Sequence, residues 1–290
     1  MRLLREEIML FKALRTICFV TTLVLVAACG AGGSVAGSGA LAPTPSPSAT
    51  WWMPAPGSSF QYDLSQAGLP SPAAAIEDID WEATTASDVA SLHAAGGRAI
   101  CYVDAGTYEN WRPDASSFPA IVLGDTYVGY PNERWLDVRR VDILAPIMDA
   151  RIANCRAKGF DGVEFDNVDG YSNTTGFPLT LQDDESYLTN LAAFAHADGL
   201  AVGLKNAPEM LPAISSTVDF AINESCWAQG WCAADAPLRT EHKFIVDVEY
   251  DDVTTAAQFT AAYCPAAAAL GDTTILKHPA LDAWIVTCPP

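Results

Sequence analysis

The stretch Gly159-Phe160-Asp161-Gly162-Val163-Glu164-Phe165-Asp166-Asn167-Val168-Asp169-Gly170-Tyr171 decides how the rest of the chain is read. Its middle, Gly162 to Asp166, alternates apolar and acidic residues, the pattern of a β-strand whose two faces meet different surroundings. Val163 and Phe165 then point toward a layer of helices, and Glu164 and Asp166 toward the inside of the sheet. A buried carboxylate without a partner is costly. The acidic face therefore implies ion pairing or an opening. Asp166, last on its strand, is the residue expected at the opening, and Glu164, one layer lower, reads as a structural partner.

The same rhythm continues on both sides. Short apolar strands are expected at Phe60–Tyr62, Ile76–Trp81, Ala99–Val103, Ala201–Lys205, Phe220–Glu224, Phe244–Val248 and Thr274–Lys277. Amphipathic helices are expected between them at Ala86–Ala95, Val141–Lys158, Asp184–Asp198 and Thr254–Tyr263. Eight strands in about 230 residues, with no glycine-rich phosphate loop after the first, predict an α/β fold of the (β/α)₈ TIM-barrel type in a single domain, residues 51–290. Several strands end in polar residues: Tyr102-Val103-Asp104, Asp166-Asn167, Lys205-Asn206, Asn223-Glu224 and Glu249-Tyr250. In a parallel barrel these ends form one rim, so residues far apart in sequence converge on one mouth.

Two carboxylates at such a mouth suit glycoside hydrolysis, where one group protonates the leaving oxygen and the other attacks the anomeric carbon or activates water. Asp166 and Glu224 are the expected catalytic pair. Lys205, inward on the next strand by parity, is the expected counter-ion of Glu164 or Asp166 and would keep a neighbouring carboxylate ionised, which suits Asp166 to nucleophilic attack. Glu224, followed by Cys226, Trp227 and Trp231, suits the acid/base role, because desolvation favours the protonated form. Tyr102, Tyr171, Trp227 and Tyr250 are the aromatics expected beside the carboxylates, where sugar rings stack.

The N-terminus carries Arg2, Arg5, Lys12 and Arg15 before an uncharged apolar run from Ile17 to Ala28, too short to cross a bilayer. It ends in Val26-Ala27-Ala28-Cys29-Gly30, the pattern of a bacterial lipoprotein signal. Residues 1–28 are therefore expected to be a signal peptide and Cys29 the lipidated residue, the alternative being an ordinary signal peptide with a chance cysteine. Residues 30 to 50 hold no charge and no periodic apolar face, so they read as a flexible tether. Six further cysteines remain for an exported domain, and fifteen pairings are open to them. The most economical loops are Cys226 with Cys232 and Cys264 with Cys288, leaving Cys101 with Cys155. Four histidines and no CxxC spacing favour disulfides over a metal centre. The chain has 16 Lys and Arg against 35 Asp and Glu; without the leader's four basic and two acidic residues the balance is 12 against 33, a net charge of −21. That argues against a nucleic-acid partner and would attract a polycation.

At these residues the chain resembles glycoside hydrolase family 114, the endo-α-1,4-polygalactosaminidases. The resemblance spans Trp52 to about Tyr250. It rests on Ile100-Cys101-Tyr102 with Ala105-Gly106-Thr107-Tyr108-Glu109, Trp111-Arg112-Pro113-Asp114, Arg134-Trp135-Leu136-Asp137-Val138-Arg139, Asp161-Gly162-Val163-Glu164 with Asp166-Asn167-Val168-Asp169-Gly170-Tyr171, Gly203-Leu204-Lys205-Asn206, and Asn223-Glu224 before Cys226 and Cys232. It implies a (β/α)₈ fold and hydrolysis within α-1,4-linked galactosamine chains without metal or organic cofactor, by Asp166 and Glu224. Asp63 and Asp104 depart from the family pattern by adding carboxylates near the mouth. The residues expected to bind substrate are Asp63, Tyr102, Asp104, Asn167, Asp169, Tyr171, Lys205, Asn206, Trp227, Glu249 and Tyr250. The functional expectation is an exported, lipid-anchored, monomeric, retaining endo-hydrolase of a cationic amino-sugar polymer. The competing one is a carbohydrate-binding lipoprotein on the same barrel without turnover.

Overall fold

In the computed structural model, residues 51–65 and 74–289 are described. The expected signal peptide, the lipidated Cys29 and the tether to residue 50 lie outside the described residues. From the N-terminal end the strands are β1 (Phe60–Asp63), β2 (Ile76–Asp80), β3 (Arg98–Asp104), β4 (Thr107–Glu109), β5 (Leu123–Thr126), β6 (Glu133–Leu136), β7 (Gly162–Asp166), β8 (Ala201–Lys205), β9 (Phe220–Glu224), β10 (Phe244–Tyr250), β11 (Thr273–Lys277) and β12 (Ile285–Thr287). The main sheet has the order β1-β2-β3-β7-β8-β9-β10-β11-β12. Every pair is parallel except the last, where β12 runs back along β11.

All eight strands expected from the sequence are present, and they curl into a barrel. Its first and last parallel strands are joined by Thr273 Oγ1 donating to the Ser58 carbonyl at 2.9 Å, Leu64 N to the Leu281 carbonyl at 2.9 Å, and Lys277 Nζ to Gln61 Oε1 at 2.6 Å. Strand alternation gives the barrel two cores. Val163 and Phe165, with Cys101, Val103, Val202 and Leu204, pack outward against Met148, Ile152, Leu188 and Leu191 of the helices. Phe60, Tyr62, Ile100, Phe220, Ile222, Phe244, Val246 and Val248 fill the barrel itself. Space for Phe220 there comes from Gly203, where a Cβ would stand 2.3 Å from its ring.

The helices form where the apolar period predicts, with ends set by capping. Thr85 and Asp88 make a reciprocal capping box at the start of Ala86–Ala94, and Thr180 and Asp183 do so for Leu181–Ala197, which begins three residues before the apolar pattern suggests. Val141–Lys158 stops at Gly159, whose φ of 92° suits a left-handed cap. The helix expected over Thr254–Tyr263 is instead an α-turn, Ala256–Gln258, a wider π segment, Phe259–Tyr263, and a further helix, Cys264–Leu270.

The barrel pattern did not anticipate the antiparallel sheet β4-β6-β5, inserted after β3. Two buried arginines fasten it. Arg112 pairs with Asp80 at 2.7 Å and Glu109 at 2.6 Å, and Arg151 pairs with Asp114 at 2.7 Å while donating to the Asp104 carbonyl. The three disulfides are Cys101–Cys155, Cys226–Cys232 and Cys264–Cys288, the pairing of shortest loops.

Candidate active site

The C-terminal ends of β7, β8 and β9 bring Asp166, Lys205 and Glu224 together. Lys205 Nζ lies 3.3 Å from Asp166 Oδ1, 3.5 Å from Glu224 Oε2 and 3.4 Å from Glu164 Oε1. The lysine is 3 % exposed, whereas the Asp166 and Glu224 side chains are 16 % and 29 % exposed. One buried ammonium thus stands behind two carboxylates that reach solvent. Burial alone would lower the Lys205 pKa, but the charges of Asp166, Glu224 and Glu164 outweigh it and hold the group well above its ordinary value.

Each carboxylate also has a phenol of its own. Tyr102 donates to Asp166 Oδ2 at 2.8 Å, and Tyr250 donates to Glu224 Oε1. A backbone amide adds a further donor to one of the two carboxylates, Asn167 N to Asp166 Oδ1 at 2.8 Å, while the Glu224 backbone is fixed by its own N donating to Asn206 Oδ1 at 2.8 Å. The residue after each of the three strands is left-handed without being glycine, with φ of 58° at Asn167, 51° at Asn206 and 59° at Ser225. Such backbone costs roughly 1 kcal/mol or more per residue. Here it turns the chain sharply just past each functional side chain.

Beneath this layer, Tyr62 accepts from Lys205 Nζ at 3.2 Å and donates to Glu164 Oε1 at 3.4 Å. Glu164 therefore has the structural place its depth implied. Burial pushes its carboxyl up to about 7 against the pull of Lys205. Asp78, on β2, faces it and is driven well above the carboxylate range by burial and then by the Glu164 charge. Both Asp78 oxygens are buried without a hydrogen-bond donor among the described residues, which is consistent with burial and the Glu164 charge favouring the protonated form.

The remaining expected residues divide. Asn167 Nδ2 donates to Asp104 Oδ2, and Thr107 donates to the same carboxyl through N at 2.8 Å and Oγ1 at 2.6 Å. Asp104 faces the mouth by parity but is 1 % exposed and braces the loops above it. Asp169 and Tyr171 are half-buried on the loop after β7, where the Tyr171 hydroxyl donates to Glu209. Two positions are corrected by strand parity. Glu249 precedes Tyr250 and so faces outward, accepting from the amides of Trp227 and Ala228. Asp63 follows Tyr62 and accepts from Ser65 N and Oγ. Neither lines the mouth. Trp227 is half-buried and stacks on Tyr263, with ring centroids 6.4 Å apart, whereas Tyr250, Lys205 and Asn206 are the groups bonded or ion-paired to Glu224 among the described residues. The sequence places Tyr62 among the aromatics of the rim but not beside the carboxylates, and gives no sign of Asp78 or of two tyrosines of the inserted sheet, Tyr127 and Tyr130. The only cysteine and carboxylate cluster with metal-ligand spacing among the described residues is Cys226, Cys232 and Asp247, whose sulfurs are already joined as a disulfide.

A parallel barrel with a carboxylate pair at its C-terminal rim is the architecture of a glycoside hydrolase. The chain belongs to glycoside-hydrolase family GH114, whose profile matches residues 40–290. Among solved structures it is similar to Ega3 of Aspergillus fumigatus, crystallised in complex with galactosamine, at 36 % identity, covering 82 % of this chain and 97 % of that one with a TM-score of 0.77. It shares the fold of the glycoside hydrolase domain of PelA from Pseudomonas aeruginosa, at 18 % identity, 80 % and 98 % coverage and a TM-score of 0.61. Comparison with curated protein sequences gives no match.

Proposed function

We propose that this protein is an exported, endo-acting hydrolase of α-1,4-linked galactosamine polymers that works with retention of configuration, tethered to the cell envelope through Cys29. The observation that carries the reading is the lysine shared by Asp166 and Glu224 at 3.3 and 3.5 Å. Sharing one ammonium at these distances leaves the contacting Asp166 and Glu224 oxygens at most about 6.8 Å apart, at the short end of the ~6.5–9.5 Å separation of inverting enzymes, which supports retention. Asp166, with Tyr102, Asn167 N and Lys205 stabilising its negative charge, is the nucleophile that attacks the anomeric carbon. Glu224, the more exposed carboxyl, gives its proton to the leaving oxygen and then takes one from the water that cleaves the glycosyl–Asp166 ester.

The substrate class is supported by the galactosamine bound to Ega3 and by charge. A partly deacetylated galactosamine polymer is cationic, and this chain carries a formal charge of −19. Three disulfides in the described domain fit an oxidising compartment.

The test is reducing-end release from partly deacetylated α-1,4-galactosamine polymer by the protein and by Asp166→Asn and Glu224→Gln, with circular dichroism to establish folding. We expect oligosaccharide products with the anomeric configuration of the substrate, and at least a ~1,000-fold rate loss in each variant. Binding of the polymer without cleavage would instead support a carbohydrate-binding lipoprotein. No cleavage and no binding by folded protein would overturn the substrate assignment.

A further inference from the structure

The inserted sheet presents an aromatic ladder that the catalytic machinery does not use. The turn Tyr127-Val128-Gly129-Tyr130 closes with Tyr130 N donating to the Tyr127 carbonyl at 3.0 Å, and Gly129 supplies the φ of 93° it needs. Closing the turn sets its first and last side chains together: the Tyr127 and Tyr130 rings stack with centroids 5.0 Å apart and planes 22° apart. Tyr127 leans in turn on Trp135, at 4.8 Å, and Trp135 is buried. Tyr130, at the outer end, is 55 % exposed. An aromatic ring braced from behind and open in front meets a partner with little conformational entropy left to lose.

The ladder stands at the mouth. Its sheet leaves the barrel directly after Asp104, is tied back by Leu136 N donating to the Gly106 carbonyl at 2.9 Å, and meets the loop after β7 where Asp125 N donates to the Thr175 carbonyl at 2.8 Å. Burial raises both phenol pKa values, and beyond burial the charges of Asp166 and Glu224 raise both as well, which requires the two rings to lie within electrostatic reach of the catalytic pair.

We propose that Tyr130, braced by Tyr127, is a stacking subsite for a pyranose ring of the polymer adjoining the cleavage point. The ring's C–H face would lie on the exposed phenol, an interaction between an apolar sugar face and an aromatic surface. The inference rests on the carbohydrate reading above and adds to it a binding position on the inserted sheet.

The experiment measures affinity for α-1,4-galactosamine oligosaccharides of defined length by calorimetry, and KM and kcat on the polymer, for the full chain, Tyr130→Ala and Tyr130→Phe. We expect Tyr130→Ala to lose about tenfold in affinity, the loss appearing in KM more than in kcat, and Tyr130→Phe to retain most of the affinity, because stacking needs the ring and not the hydroxyl. The loss should grow once the oligosaccharide is long enough to reach past the catalytic pair. Equal affinity for Tyr130→Ala and the parent would overturn the subsite, as would a Tyr130→Phe defect as large as that of Tyr130→Ala. If the parent binds the oligosaccharides without cleaving them, the hydrolytic reading fails while the affinities still decide the subsite; if it neither binds nor cleaves, both fall.

Discussion

At the scale of single residues, the site places one cation behind two acids and gives each acid a phenol. Tyr102→Phe and Tyr250→Phe each remove one hydrogen-bond donor from a carboxyl of the pair, and we expect kcat/KM to fall roughly tenfold to a hundredfold in either variant while the melting temperature stays close to the parent's. Lys205→Met should be far more damaging. It leaves Asp166, Glu224 and Glu164 as mutually repelling neighbours in a poorly solvated spot, and activity on the polymer should drop at least about 1,000-fold. Rates below saturation, checked against thermal unfolding, separate these outcomes from misfolding. Asp166, Glu224, Lys205 and Glu164 were legible in the sequence because period-two alternation assigns a face and the end of a strand assigns a depth. The same rule, applied strictly, excludes Asp63 and Glu249, each one residue out of phase with an inward tyrosine. Asp104 has the right parity, yet Thr107 and Asn167 occupy its carboxyl, and contacts across loops leave no periodic trace.

At the scale of elements, the fit between the loop after β3 and the loop after β7 holds Asp166 in place. A Cβ at Gly106 would sit 1.7 Å from the Asn167 carbonyl oxygen, a backbone clash that no rotamer relieves. Gly106→Ala should therefore displace Asn167 and with it the amide on Asp166, lowering kcat by more than about tenfold, as steady-state kinetics would show. The inserted sheet depends instead on its arginines. Arg112→Met strands Asp80 without its cation and leaves Glu109 only Arg151, at 3.9 Å, and urea unfolding should show a loss of about 3–5 kcal/mol. The eight barrel strands could be read from composition because each is an apolar run bounded by turn residues. The inserted strands could not: three or four residues each, with Leu123-Gly124-Asp125-Thr126 largely open to solvent, they carry too little periodicity to register, and where Tyr127 and Tyr130 come to lie depends on the path between them.

At the scale of the whole molecule, acidity and burial act on stability in the same direction. Burial raises Glu77, Glu133, Glu164 and Asp184 to about 7 and Asp235 to about 6. Between the unfolded carboxyl range near 4 and pH 7, the native state keeps protons that the unfolded chain has released, so the free energy of unfolding falls as pH rises through that window. The stabilisation is complete below about pH 4 to 5 for these groups and gone above about pH 7. The net charge of −19 adds self-repulsion at the upper end. Calorimetry should find a melting temperature several degrees higher at pH 5 than at pH 8, and Glu133→Gln should reduce that difference.

The three left-handed turns after β7, β8 and β9 have a bearing on descent. Asn167, Asn206 and Ser225 hold a conformation that glycine would adopt without strain, and the cost is offset only while the carboxylates and their lysine must be aimed. In a lineage that binds sugar without cleaving it, nothing opposes drift to glycine at these three positions. Such replacements would record the end of catalysis in a descendant even while its aspartate and glutamate still stood in place.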